Sequence, residues 1–429
     1  MDRLQLEATI QEQHRELQAL LKRSTCSRAE EELIDLESHL AQVVIGVRRS
    51  GKSTLCLNVL KKFGKDFAYV NFDDERLANI KGSELNEVLE VLYKVYGDFQ
   101  YLFIDEIQNI PEWFLFANRL LRIGMHLVVT GSNAKLLSGE LATHLTGRFI
   151  PIHLYPFSFA EFCQWEGVDT QTLTTFDIAQ RRAAFDKYMK VGGLPETFKL
   201  RNPQAYIDTL VNNVLERDIK QRYKLRYAAA FSQIANHILN IAPAKITISA
   251  LQQAFKISSA HTVENYLQYL KQAYLTVGLH RYTTKSSLRM REEKLYAIDV
   301  ALMNNRADAM AGNNLGWRLE TIVFLELCRR YKPNYDIYYY THPETKYEAD
   351  FVVCKGNKTL KLIQVAYDIS NSETRTRELR GLQYASKATK CQNLLLLTNH
   401  HREDTQLPNG LHVSIRPVHE WSLAEEVLE

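Results

Sequence analysis

The chain is 429 residues long, too long for one ordinary hydrophobic core, so about three domains of the usual size are expected. Hydrophobic residues at 45% and charged residues at 24% exclude a disordered or collagen-like chain. A net charge of +3 lacks the concentrated basic surface of a dedicated DNA-binding domain, so local charge has to decide that question.

Residues 6–40 repeat apolar positions at helical spacing, among them Leu17, Leu20 and Leu21, and read as two helices broken near Ser24. Short apolar runs then alternate with helical stretches, at 43–47, 67–72, 101–104, 127–130 and 149–154. Near-continuous apolar strands separated by helices predict a parallel sheet covered on both faces. Residues 155–226 carry Phe157, Phe159, Phe162, Trp165 and Tyr188 at mixed helical spacings and read as a small helical lid. Three helices follow, the first marked by Phe231, Ile234 and Ile238, the second by a capping box of Ser249 and Gln252, the third by Val263, Tyr266 and Leu270. With strands at 275–282 and 294–298 they make a winged helix-turn-helix. After an Asn/Gly-rich break at 312–314, a helix at 317–330, strands at 337–340, 349–353 and 360–366, a helix at 374–387 and a strand at 394–398 complete a compact α/β domain.

The stretch Gly46-Val47-Arg48-Arg49-Ser50-Gly51-Lys52-Ser53 matches G-x-x-x-x-G-K-[ST] between a strand-like run and the helical 54–62, the context this phosphate-binding loop requires. Its glycines let backbone N–H groups and the helix N-terminus face phosphates. Lys52 is expected on the β- and γ-phosphates, and Ser53 on Mg²⁺. Gly46, Val47, Arg48, Arg49, Ser50, Gly51, Lys52, Ser53 and Thr54 together form the expected ATP cradle. Four apolar residues lead into Asp105 and Glu106, placing both acids at the carboxyl edge of a buried strand. Asp105 would hold the Mg²⁺ shell with Ser53, and Glu106 would orient and deprotonate the attacking water. Ser132 or Asn133, after the next strand, is a candidate γ-phosphate sensor, with a helix N-cap at Ser132 as the other reading. Arg148 is a candidate arginine finger, acting in cis or in trans, or the partner in an ordinary ion pair. Asp73, Asp74 and Glu75 read as a solvated turn.

Cys26, Cys56, Cys163, Cys328, Cys354 and Cys391 form no C-x-x-C pair, so neither a zinc site nor a disulfide framework is expected. They read as reduced thiols of a cytoplasmic protein. No apolar run nears the ~18 residues of a membrane span, and the charged N-terminus does not read as a signal peptide.

The phosphate-binding loop through Thr54, Phe103-Ile104-Asp105-Glu106-Ile107-Gln108, Val129-Thr130-Gly131-Ser132-Asn133 and Leu145-Thr146-Gly147-Arg148-Phe149, in this order, resemble a prokaryotic AAA-type P-loop ATPase family with a C-terminal domain of unknown function. Further markers are 154–159, Gly192-Gly193-Leu194-Pro195 and Glu216-Arg217-Asp218-Ile219, so the resemblance spans nearly the whole chain. It implies an α/β P-loop NTPase core with N-terminal helices (1–154), a helical lid (155–226), a winged helix-turn-helix (227–305) and a restriction-endonuclease-like α/β domain (306–429). The nuclease signature it implies is a helical Glu, a strand Asp and then Glu-x-Lys. Glu320 and Asp350 fit, but Gln364 stands at the second acid and Ala366 at the lysine, so cleavage is not expected. The other reading has Asp350 ending a β-turn and Glu320 in a surface ion pair.

DNA is the expected macromolecular partner of the winged helix. Its third helix offers Glu264, Asn265, Gln268 and Lys271, and the ribbon Arg281, Lys285, Arg289, Arg291 and Lys294, cations suited to phosphates. Such a module also serves as interdomain packing, and a homo-oligomer or protein partner is the further expectation.

Overall fold

The computed structural model describes residues 2–132, 147–172, 174–225, 227–283, 292–303 and 314–425. They fall into two compact units, Met1–Tyr155 with Gln272–Tyr274, and Pro156–Lys271 with Leu275–Glu429.

The first unit is built on strands β1 (Ala41–Ile45), β2 (Phe67–Asn71), β3 (Tyr101–Asp105), β4 (His126–Gly131) and β5 (Phe149–His153). All pair in parallel, in the order β2-β3-β4-β1-β5. Side-chain alternation divides each strand between two cores. Val43 and Ile45 join the face covered by α3 (Leu85–Tyr96) and α4 (Trp113–Arg122), whereas Val44 joins the face covered by α2 (Lys52–Phe63). Helix α1 (Arg3–Leu21) closes the β2 edge. Its buried Gln13 accepts from Asn71 N–H at 3.0 Å and donates to Asn71 C=O at 3.0 Å, pairing backbone groups that an edge strand leaves open. The second helix expected before Leu40 is only a 3₁₀ segment, Ala29–Leu33, with three consecutive glutamates that leave no apolar stripe to bury.

The second unit begins with α5 (Phe159–Glu166), α6 (Thr175–Val191) and α7 (Pro203–Asn213), which runs on into a π-helical stretch, Val214–Gln221. Three helices follow, α8 (Ala228–Ile241), α9 (Ile248–Phe255) and α10 (Ala260–Gln272), with a short strand β6 (Ala244–Ile246) between the first two. The cap of α9 is Thr247, whose side chain accepts from Ala250 N–H, and not Ser249, which lies inside the first turn. Strands β7 (Thr276–Arg281) and β8 (Glu293–Ala297) pair antiparallel as expected of a ribbon.

That ribbon is part of a larger sheet. With β6, β9 (Asp336–Thr341), β10 (Glu348–Lys355), β11 (Lys358–Ala366), β12 (Leu394–Thr398), β13 (Glu403–Gln406) and β14 (His412–Pro417) it forms nine strands in the order β13-β14-β12-β11-β10-β9-β7-β8-β6. The join is a parallel pairing of β7 with β9 at His280 and Arg281, which crosses the boundary at 305/306 read from the sequence. Helices α11 (Leu315–Tyr331), α12 (Ser372–Thr389) and α13 (Val418–Leu423) complete the unit. Leu382 and Ala385 of α12 share an apolar cluster with Val352, Leu362 and Leu396.

Candidate functional site

The loop from Gly46 to Gly51 joins the carboxyl end of β1 to the N-terminus of α2. Its shape rests on two features of backbone geometry. A Cβ at Gly46 would lie 2.1 Å from the Leu154 carbonyl oxygen, so only glycine fits there, and Gly51 adopts φ +93° at the helix cap. Arg28 supports the loop from outside: buried, it donates to the Ser50 carbonyl at 3.2 Å and to the Tyr155 carbonyl at 2.8 Å. Sequence reasoning passed over Arg28, because nothing in its local pattern distinguishes it from a surface arginine.

Lys52 is buried, with Nζ 3.1 Å from the Val47 carbonyl and 3.8 Å from Glu106 Oε1. Ser53 Oγ donates to Asp105 Oδ1 at 2.9 Å. Strand β4 lies between β1 and β3, so Thr130 reaches both acids: its hydroxyl donates to Asp105 Oδ1 and accepts from the Glu106 N–H at 3.0 Å. Tyr69 on β2 adds a hydrogen bond to Asp105 Oδ2 at 3.3 Å. Glu106 itself sits in the left-handed region at φ +53°, uncommon for a residue with a side chain. Gln108 donates to Glu106 Oε2, and its amide nitrogen lies 3.4 Å from Ser132 Oγ. Thr130 and Gln108 are thus site residues that the motif reading quoted but gave no role. The signal for Thr130 was the strand order, which puts the end of β4 beside both motifs.

Burial is the largest influence on Asp105 and raises its pKa, opposed by the hydrogen bonds from Thr130 and Ser53. Burial also acts to raise Glu106, but the Lys52 ammonium and the donors Gln108 and Ser132 hold it below the ordinary carboxylate range. Glu106 therefore stays ionised at neutral pH, the state an acceptor of a water proton requires.

The Ser53 hydroxyl and the Asp105 carboxylate converge on one point beside the loop. That donor pair suits Mg²⁺, which keeps most of its shell for water and phosphate oxygens. Among the described residues no group of three or more His, Cys, Asp or Glu side chains forms a protein-only metal cage. Arg48 pairs with Asp73 at 3.2 Å, and Asp74 is held at about 2 chiefly by its hydrogen bond from Arg76, so the acidic turn after β2 is tied into the fold.

Two expected residues are not in this cluster. Arg148 precedes β5, and its carbonyl accepts from Ala41 N–H at the amino end of β1. The five residues of β1, at about 3.3 Å each, separate it from the loop at the other end of the strand. In this structure Arg148 thus stands apart from the loop of its own chain. Its side chain is exposed, and no salt bridge joins it to an acid among the described residues. Asn133 lies outside the described residues.

Three of the cations expected on DNA have acidic partners within the chain. Lys271 is paired with Glu293 at 2.9 Å, and Arg281 lies 3.6 Å from Glu292 while donating to the Thr341 carbonyl. Lys294 is buried against Glu320 and Asp350. Lys285, Arg289 and Arg291 lie outside the described residues. Glu320 is no surface residue, and Asp350 lies within β10, so the reading of a turn end with a surface ion pair is also corrected.

A phosphate-binding loop on β1 with a carboxylate pair ending β3, and β4 between them, defines a P-loop ATPase core of the AAA type. A family profile described as AAA domain matches residues 38–163, and two described as Domain of unknown function (DUF8612 and DUF4143) match 182–313 and 315–417. The chain is 32% identical over 373 residues to the uncharacterized protein MJ1544 of Methanocaldococcus jannaschii, covering 85% of this chain and 82% of that protein. It is 27% identical over 392 residues to an uncharacterized protein of Haemophilus influenzae, covering 88% and 93%. Among solved structures, the Walker-type ATPase PABY2304 of Pyrococcus abyssi matches 66% of this chain and 98% of its own at 14% identity and a TM-score of 0.41. The chain belongs to the family of AAA-type P-loop ATPases with C-terminal domains of unknown function. Among the described residues, no helix is long and apolar enough to cross a membrane.

Proposed function

We propose that the chain binds Mg·ATP through Gly46 to Thr54 and hydrolyses it, and that turnover rearranges a C-terminal region that binds DNA or a protein partner. In this reading Lys52 leaves the Val47 carbonyl for the β- and γ-phosphates. Ser53 and Asp105 would hold Mg²⁺, whose positive charge would offset that of the phosphates. Glu106 accepts a proton from the attacking water, with Gln108 and Ser132 fixing its carboxylate. The observation that carries the proposal is the convergence of Lys52, Ser53, Asp105, Glu106 and Thr130 at adjacent strand ends, with Glu106 kept ionised. Phosphate release by wild type, Lys52→Ala and Glu106→Gln tests it.

The exposed Arg148 supports assembly, because an arginine remote from its own loop is free to complete a neighbouring subunit's site. A second reading uses ATP as a structural ligand that gates binding, with negligible turnover. It draws on the resting contact of Lys52 with Glu106, which a bound γ-phosphate would break without any chemistry. Tight ATP retention without phosphate release distinguishes it. Stimulation of wild type by duplex or single-stranded DNA, weakened by salt, would identify DNA as the partner. Activity indifferent to DNA points to a protein.

A further inference from the structure

In the C-terminal unit Glu320 of α11 and Asp350 of β10 stand where the nuclease-like resemblance places two ligands of a divalent metal. The space between them is already filled by a cation of the chain itself. Lys294 Nζ lies 2.5 Å from Glu320 Oε1 and 3.5 Å from Asp350 Oδ1, and all three residues are buried. Tyr296, two residues along β8 and so on the same face, donates to Glu320 Oε1 at 2.6 Å. Its ring stacks on Phe324 with centroids 4.1 Å apart, which fixes the face that carries Lys294. The other Asp350 oxygen accepts from Val365 N–H at 2.9 Å. An irregularity in the β9–β10 register between Ala349 and Val352 marks the point where β10 presents Asp350.

The two departures from the nuclease pattern fit the same arrangement. Gln364 accepts from Asp350 N–H at 3.1 Å and donates to Glu378 Oε2 at 2.6 Å. A carboxylate cannot do both, and at that position it would set a second anion against Glu378. Ala366 belongs to the apolar cluster under α12 with Leu362, Leu382 and Ala385, and offers no cation or ligand at the position of the lysine. The residues present therefore do not fit a divalent metal.

We infer that Lys294 is the resident cation of this site, holding Glu320 and Asp350 in place of a metal and bracing β8 against α11 and β10, so that the site neither binds a divalent ion nor cuts nucleic acid. The brace joins strands that are not neighbours, since β7 and β9 lie between β8 and β10 in the sheet. Removing only the lysine leaves two buried carboxylates facing each other. Removing a carboxylate with it relieves most of that cost.

The test uses the full chain without nucleotide and Mn²⁺ alone, counted by electron paramagnetic resonance. Wild type and Asp350→Asn are expected to bind the same number of Mn²⁺ ions. Lys294→Met is expected to melt roughly 10 °C lower than wild type, with Mn²⁺ restoring part of the loss, and the double variant Lys294→Met/Glu320→Gln is expected to melt above Lys294→Met. One Mn²⁺ more on wild type than on Asp350→Asn overturns the inference, as does a Lys294→Met protein as stable as wild type. Should Lys294→Met fail to fold, the comparison of wild type with Asp350→Asn still decides.

Discussion

Asp105 is buried among four neighbours that touch its carboxylate or stand beside it, Ser53, Tyr69, Thr130 and Glu106, and Thr130 is the one that also holds the Glu106 backbone. Thr130→Val keeps the shape of the side chain but removes both hydrogen bonds, leaving the Glu106 N–H without its partner at a cost of about 1–3 kcal/mol. The expected outcome is a folded protein that binds ATP and turns it over at least about tenfold more slowly, because a small misplacement of the base is costly. Steady-state phosphate release beside a nucleotide-binding titration checks this, and unchanged turnover would remove Thr130 from the site. The loop and the acid pair were legible in the sequence because their chemistry is local: a short glycine-containing run and two acids after an apolar strand. Arg28 and Gln108 were not read as site residues, because their roles depend on which distant carbonyl or carboxylate the fold brings to them.

The Gly192-Gly193 turn after α6 is locked by a single buried acid. Asp299 Oδ2 accepts from Gly193 N–H at 2.8 Å, and Oδ1 accepts from Ala301 N–H at 2.7 Å. A Cβ at Gly192 would lie 1.8 Å from that Oδ1, and one at Gly193 would lie 2.3 Å from the Phe157 carbonyl oxygen, which explains the paired glycines. Burial pushes Asp299 up to about 6, against the two N–H donors. The folded state therefore binds the proton more tightly than the unfolded chain, so this group favours folding below about pH 4 and loses that contribution as pH rises through about 6. The expected loss is on the order of 3 kcal/mol relative to Asp299→Asn between those limits. Denaturant unfolding of both proteins at pH 4 and pH 7 measures it, and parallel pH dependences would show that Asp299 is not the group responsible. At this scale the period of apolar residues located most elements that bury a face, from β1 to β12. It missed β6, of three residues, and the elements after β12: β13, an exposed edge strand with no apolar face, β14, whose alternating Val413 and Ile415 were there to be read, and the short α13.

For the whole molecule, one sheet carries both the β7–β8 ribbon and the strands of the C-terminal α/β region, so these parts of the second unit form a single body. No local pattern in the sequence forecasts the β7–β9 pairing, since a parallel pair joins residues far apart in the chain and rests on backbone hydrogen bonds. Arg148 belongs to this scale too. If it completes a neighbour's site, Arg148→Ala binds ATP normally but hydrolyses it on the order of 10³-fold more slowly. An equimolar mixture with Lys52→Ala, itself inactive, then regains activity, because mixed assemblies contain one intact site. Wild-type turnover by Arg148→Ala alone would exclude the finger. The most direct test of the central claim is phosphate release with Mg·ATP by wild type, Lys52→Ala and Glu106→Gln, run beside a measurement of bound ATP. The account predicts release by wild type, neither binding nor release by Lys52→Ala, and retained ATP with turnover lowered about 10²- to 10⁴-fold in Glu106→Gln. Hydrolysis by Glu106→Gln at the wild-type rate, or ATP held by wild type without phosphate release, would contradict it.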